Sequence, residues 1–216
     1  LGGGRWGAEA FFTAYQTLRI LGQFTKGQKV LIHAGGSGVG TAAIQLAKKF
    51  GADAIFVTAG SAEKLERCLS LGATLGINYK AEDFSDKIIR TTNQKGVDII
   101  LDFIGAEIFE KNMASISTDG RLIFIGSLGG VKIKDFNLAD VMSRRITIIG
   151  TTLRSRSDEY KSHLLENFRK ECEMWLNYGE IRPVIHSVYS WNSVAEAHAE
   201  MESNKNFGKI ILSLAS

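Results

Sequence analysis

The sequence predicts an α/β fold built on a doubly wound parallel sheet, and three observations carry that prediction. From about Lys29 onward, short apolar runs rich in β-branched residues alternate with longer amphipathic stretches. The runs are continuously apolar, as in strands whose two faces are both covered by helices. A glycine-rich loop, His33 to Gly40, follows the first such run and opens the first amphipathic stretch.

The elements follow in order. Ala8 to Leu21 patterns as a helix, so the first strand is not the first element. Val30 to His33 is a compact strand signal, and Gly38 to Phe50 then places Val39, Ala43, Leu46, Ala47 and Phe50 on one helical face. Ile55 to Val57 gives a second strand, and Ser61 to Leu71 a second helix with Ser61 as its N-cap. Val97 to Leu101, Leu122 to Ile125 and Arg145 to Gly150 supply further strands, joined by right-handed crossovers. Beyond Gly150 the character changes. Asp158 to Tyr178 is a long charged helix, Val184 to Tyr189 a strand opened by Pro183, Val194 to Ser203 a helix, and Lys209 to Leu214 a last strand. Leu1 to Gly7 (LGGGRWG) matches no packed element and reads as an artificial or truncated start. The expected organisation is therefore residues 1–7 as a remnant, 8–152 as a nucleotide-binding domain and 153–216 as a C-terminal helix and strands.

Composition narrows the partners. A chain of 216 residues, 44% hydrophobic and 23% charged, is ordinary for a soluble globular protein. The net charge of +3 is small and evenly spread, so no nucleic-acid partner is expected. Cys68 and Cys172 stand far apart without zinc-ligand spacing, which suits a reducing, cytoplasmic setting and predicts no metal. No apolar stretch approaches the ~20 residues that cross a bilayer, so no membrane partner is expected either.

The glycine loop carries the chemistry. Glycines between a strand and a helix let the backbone turn tightly and bring free amides to a pyrophosphate. The strict G-x-G-x-x-G spacing is not met, because Ser37 falls where the middle glycine would be. The second strand bears on the choice of nucleotide. A site for NAD carries Asp or Glu near that strand's end, about 20 residues beyond the loop. Here the strand runs out as Val57-Thr58-Ala59-Gly60-Ser61 with no acid, and Lys64 lies one turn into the next helix. A small neutral pocket, a hydroxyl and a lysine suit a 2′-phosphate, so NADPH is favoured, although Lys64 alone reads equally as a solvated lysine. Among the histidines, His33 at a strand end reads as structural, His163 and His198 as solvated, and His186 as paired within a strand. Asp102 ends a strand and also reads as structural; no residue is marked as a nucleophile or general base.

With these residues in view, the chain resembles the zinc-independent quinone oxidoreductase branch of the medium-chain dehydrogenase/reductase superfamily. The resemblance rests on FFTAYQTL (residues 11–18), VLIHAGGSGVGTAAIQLAK (30–48), VTAGSAEKLE (57–66), LGATLGINYKAEDF (71–84), GVDIILDFIG (96–105), LRSR (153–156) and NKNFGKIIL (204–212), in the family's order. It implies a Rossmann-type domain with NADPH as cofactor and a quinone or conjugated enone as the small-molecule substrate. It places Thr13 near the nicotinamide, Ser37, Gly38 and Val39 at the pyrophosphate, and Gly60, Ser61, Lys64 and Tyr79 at the 2′-phosphate. Ile104 and Gly105 fall at the switch point, Ser127 and Leu128 beside the nicotinamide, and Asn206 in a segment that closes near the cofactor. Arg154 and Arg156 read equally as a cofactor-side loop or a solvated basic turn. The resemblance also implies an N-terminal GroES-like domain in relatives, against which the segments at Val184–Tyr189 and Lys209–Leu214 pack, and a homodimer formed through the sheet edge near Arg145–Gly150. Alternatives accompany this reading. Zinc alcohol dehydrogenases share the superfamily, but the chain shows no zinc-binding cysteine cluster. A short-chain dehydrogenase needs a Tyr-x-x-x-Lys pair, in which the lysine lowers the tyrosine pKa; Tyr15 with Arg19 is the nearest approach, so that class fails. A module that holds NADPH without turning it over stays open.

Overall fold

The computed structural model describes residues 8–214; the reading of residues 1–7 as a remnant lies outside them. Helix α1 (Ala8–Tyr15) runs on into a π-helical turn at Gln16–Leu21. The Thr17 hydroxyl donates to the carbonyls of Thr13 and Ala14 at 2.9 and 3.0 Å, and such side-chain competition loosens the helical ladder at that point. Then follow β1 (Lys29–Ile32), α2 (Gly38–Lys49), β2 (Ala54–Ala59), α3 (Ala62–Leu71), β3 (Leu75–Asn78), α4 (Phe84–Thr91), β4 (Val97–Asp102), α5 (Phe109–Ser115), β5 (Ile116–Phe124), α6 (Leu138–Ser143) and β6 (Thr147–Gly150). The long α7 (Asp158–Asn177), β7 (Ile185–Ser190), α8 (Val194–Glu202) and β8 (Lys209–Ser213) complete the described chain.

Six strands form one parallel sheet in the order β3-β2-β1-β4-β5-β6. The order reverses between β1 and β4, which opens a crevice at the C-terminal ends of these two strands, the usual ligand position in such sheets. Side chains alternate across the sheet although both faces are apolar. Val30 and Ile32 join a core with Phe11, Tyr15, Leu18, Ile44 and Phe168, whereas Leu31 joins Phe56, Ile77, Ile88, Ile100 and Leu122 on the other face. Helix α7 is fixed to the first face through Phe168, whose ring meets those of Phe12 and Tyr15 edge-on at 5.1 and 5.5 Å.

The sequence pattern finds α2, α3, β4 and α7 within a residue or two, and Ser61 caps α3 as expected, accepting from the Lys64 amide at 3.3 Å. It does not find β3, α4, α5 or α6. β3 reads Leu-Gly-Ile-Asn, too short and too polar to stand out, and Gly76 is there because the Leu65 side chain leaves no room for a Cβ. Strands β7 and β8 pair in parallel as a separate small sheet. They remain at least partly exposed along their length, with Val188 at 61%, and α8 meets β7 through Glu200, which bonds His186, Ser187 and Tyr189.

Candidate cofactor site

A cleft of about 520 Å³ lies at the crevice, and its walls are the loops that leave β1, β2, β3, β4 and β5. Its floor is the glycine loop. Ser37 caps α2, its hydroxyl accepting from the Gly40 amide at 3.0 Å, so the free amides of the first turn gather at the helix's positive end. Gly40 permits the close approach of loop and helix, because a Cβ there would drive into the Ala34 carbonyl oxygen and the Gly35 backbone. Gly36 lies under the Lys64 stem and the Phe207 ring, each 3.2 Å from where its Cβ would be.

At the β2 end the cleft narrows around Gly60. A Cβ there would lie 2.7 Å from the Tyr79 hydroxyl and 3.1 Å from Lys80 Cε. The Lys64 ammonium donates to the Asn204 carbonyl at 2.7 Å and to Asn204 Oδ1 at 3.3 Å. Burial lowers the Lys64 pKa, and the nearby Lys80 charge lowers it further, while Cys68 and Glu63 act the other way. An anion placed among these groups would relieve that repulsion.

The opposite wall is the pair of turns after β4 and β5. Gly105 takes a φ of +89°, and a Cβ on it would lie 3.1 Å from Ser127 Cα, so only glycine lets the two turns touch. Backbone bonds zip them together: Leu128 to Phe103 at 3.2 Å, Gly129 to Ile104 at 2.7 Å and Ala106 to Gly130 at 3.0 Å. A late segment then crosses the floor. The Gly208 amide donates to the Gly36 carbonyl at 2.8 Å, and the Arg67 guanidinium lies 4.1 Å above the Phe207 ring.

Beneath the walls lies a buried polar chain. Asp102 Oδ1 accepts from the Ile104 and Gly105 amides at 2.6 and 3.0 Å. Asp102 Oδ2 accepts from Asn112 Nδ2 at 2.9 Å. Asn112 Oδ1 lies 2.8 Å from His33 Nε2, and Thr58 Oγ1 lies 2.9 Å from His33 Nδ1. Burial pushes the Asp102 carboxyl up to about 6 against the pull of its three donors, and it pushes His33 down to about 4.

Of the residues the sequence singles out, Ser37, Gly60, Lys64, Tyr79, Ile104, Leu128 and Asn206 line the cleft. Gly38, Ser61 and Ser127 are next in the chain to lining residues, Val39 lies one residue further on in the first turn of α2, and none of the four is in the lining. Thr13 stands on α1, half-buried and outside the lining. Arg156 covers the Tyr160 ring at 4.6 Å, and neither it nor Arg154 lines the cleft. His33 and Asp102 are buried and hydrogen-bonded, and His186 is paired with Glu200 at 3.1 Å; His163 and His198 are exposed. Sequence reasoning misses Asn112, Asn204, Glu107 and Lys111. The first two meet their partners across long stretches of chain; Glu107 lies in a short 3-10 turn at Ala106–Ile108 and Lys111 on α5, neither of which the pattern finds.

Among the described residues no group of three or more His, Cys, Asp or Glu is placed to hold a metal, and Cys68 and Cys172 are buried apart on α3 and α7. These residues do not fit a zinc ion. They do fit a nicotinamide dinucleotide, whose pyrophosphate matches the loop amides at the start of α2.

With this geometry in hand, the chain can be placed among known proteins. The family model described as zinc-binding dehydrogenase matches residues 38–170. Human quinone oxidoreductase is 34% identical over 205 residues, and the rat protein of that name 32%, each match covering 94% of this chain and 60% of the relative. Among solved structures, an NAD-dependent alcohol dehydrogenase superposes with a TM-score of 0.82 at 34% identity, covering 95% of this chain and 57% of that one. The CurK enoyl reductase superposes with a TM-score of 0.78 at 30% identity, covering 94% and 60%. The chain spans about 60% of the length of the curated relatives it matches. By its sheet order, its glycine loop and these matches, the chain belongs to the zinc-binding dehydrogenase family, in the quinone oxidoreductase branch of the medium-chain dehydrogenases and reductases.

Proposed function

We propose that this chain binds NADPH in the cleft and forms the cofactor-holding part of an oxidoreductase that reduces quinones or conjugated enones. The observation that carries the choice of nucleotide is the surround of Gly60. No carboxylate ends β2, and the Tyr79 hydroxyl, Lys80 and Lys64 converge there instead. An acid at this place would accept from both ribose hydroxyls of NAD, whereas hydroxyl and ammonium donors suit a phosphate. The glycine loop and α2 would take the pyrophosphate through Ser37, Gly38 and Val39. Gly60, Ser61, Lys64 and Tyr79 would hold the 2′-phosphate. Ile104, Ser127 and Leu128 would flank the nicotinamide, with Thr13 on α1 and Asn206 from the crossing segment completing its surround.

Bound NADPH supplies the hydride; the protein's part is to orient the nicotinamide and keep water from it. No side chain is assigned as a proton donor. The quinone oxidoreductases and enoyl reductases among the relatives support the substrate class. A second reading is a module that binds NADPH without turning it over. The edge strand β6 would carry a homodimer, and two buried free thiols suit a reducing compartment such as the cytoplasm. Among the described residues no helix is long and apolar enough to cross a membrane.

The test is a fluorescence titration with NADPH and NADH, followed by addition of a para-quinone. Preferential NADPH binding with quinone-driven oxidation supports the enzyme. Binding without oxidation supports the module, and no binding of either nucleotide overturns both.

A further inference from the structure

Four polar side chains that no catalytic step uses lie end to end under the cleft: Thr58 on β2, His33 after β1, Asn112 on α5 and Asp102 at the end of β4. All are at most 3% exposed. They connect two walls that face each other across the crevice, because Thr58 and Ile104 both line the cleft and Asp102 holds the Ile104–Gly105 turn.

The direction of every hydrogen bond in this chain is fixed from one end. An ionised carboxylate can only accept, so Asn112 must present its NH2 to Asp102 and its carbonyl oxygen to His33. His33 Nε2 must then carry the proton. Burial keeps the ring neutral, so Nδ1 is bare and must accept from the Thr58 hydroxyl. One charge thus sets one tautomer, one amide orientation and a hydroxyl rotor, across three strands of the sheet.

We propose that His33 is a positioning residue for the nucleotide, held as the Nε2–H tautomer by Asn112 and Asp102 so that the β2 and β4 walls of the cleft keep a fixed separation. This rests on the reading of the cleft as a nucleotide site. The alternative role for these residues is to fill the core, and shape supports it in part: the His33 ring packs edge-on against Phe84 at 4.8 Å. Core filling, however, makes no demand on which ring nitrogen carries the proton. The relay does.

Asp102→Asn tests the distinction with almost no change of shape. Its carbonyl oxygen can keep the Ile104 and Gly105 amides, so its NH2 must face Asn112. Asn112 then has to turn over and donate to His33 Nε2, and the ring must shift to the Nδ1–H tautomer, donating to Thr58. The polarity of the whole chain reverses. Thr58→Val removes only the far end and leaves the tautomer in place.

The experiment is 15N NMR of the histidine rings in this chain, with NADPH and NADH titrations of the same samples. The expected result is Nε2–H for His33 in the unaltered chain and in Thr58→Val, and Nδ1–H in Asp102→Asn. NADPH and NADH should both weaken in Asp102→Asn by about three- to tenfold, the equivalent of roughly one net hydrogen bond, with their ratio unchanged. An Nδ1–H ring in the unaltered chain overturns the relay without need of any variant. So does an Asp102→Asn ring that stays Nε2–H. A reversed tautomer with undiminished affinity for both nucleotides overturns the positioning role. If the unaltered chain binds neither nucleotide, the nucleotide reading fails together with the positioning role, while the ring tautomers still report whether the buried chain is polarised from Asp102.

Discussion

Replacing Lys64 by Met isolates the charge at the β2 end of the cleft while keeping most of the stem that lies over Gly36. In the free protein the ammonium is already occupied, donating to the Asn204 carbonyl at 2.7 Å. A 2′-phosphate must therefore share or displace that bond. A charge-assisted hydrogen bond contributes about 1.5–3 kcal/mol, and since the bond given up already has an ionised donor, only the added attraction of a charged acceptor is gained. The net loss on removing Lys64 is then about 1–2 kcal/mol, or roughly five- to thirtyfold in NADPH affinity. NADH lacks the phosphate and should bind Lys64→Met within about twofold of the unaltered chain, since no charged contact is lost. The assay is a nucleotide fluorescence titration at two salt concentrations, because a phosphate contact also carries a salt dependence that the variant should lose. A ratio of NADPH to NADH affinity that does not move, or an equal weakening of both nucleotides, would refute the assignment.

Three further outcomes follow from the packing and the buried charges. Gly40→Ala should destabilise the chain by about 2 kcal/mol in urea unfolding and weaken nucleotide binding, because the new methyl meets backbone rather than a yielding side chain. Phe168→Ala should cost about 3–5 kcal/mol, since its ring is buried and joins α7 to three aromatic rings of α1. The folded Asp102 carboxyl titrates at about 6 against an ordinary 3.8. A raised folded pKa stabilises below about pH 4 and loses that stabilisation as pH rises through about 6. Asp102→Asn should therefore gain on the unaltered chain by up to about 3 kcal/mol between pH 4 and 7, measured by urea unfolding across pH. A gap between the two proteins that stays flat over that range would show that the carboxyl is not desolvated.

The parts of the fold that the sequence reveals are those written in local pattern. Ser61 and the apolar face of α2 declare themselves because an N-cap and a helical stripe are set by residues a few positions apart. The switch point follows once strands and helices alternate, since parallel connections have one hand. Lys64 is visible for the same reason, as the first-turn lysine of a helix whose start is marked. Tyr79 is not: it sits after β3, a strand broken by Gly76, and family resemblance alone singles it out. Asn112 and Asn204 carry no local signal, because each gains its meaning from a partner 79 or 140 residues away. His33 shows the limit from the other side. Its pattern marks it as structural, but which proton it carries is decided by Asp102, and that depends on a geometry the linear sequence does not contain.

The crossing of Gly208 over the glycine loop also orders events in time. The loop's own residues are complete at position 40, yet its Gly36 carbonyl finds its partner only at position 208, and Lys64 only at 204. At roughly 5–20 residues per second, a ribosome needs about ten to thirty seconds to span that interval. Throughout it the nascent sheet carries an unfinished floor, so a nucleotide has nothing complete to hold. Binding would begin only as α8 and β8 settle, which ties ligand capture to segments made long after the loop itself.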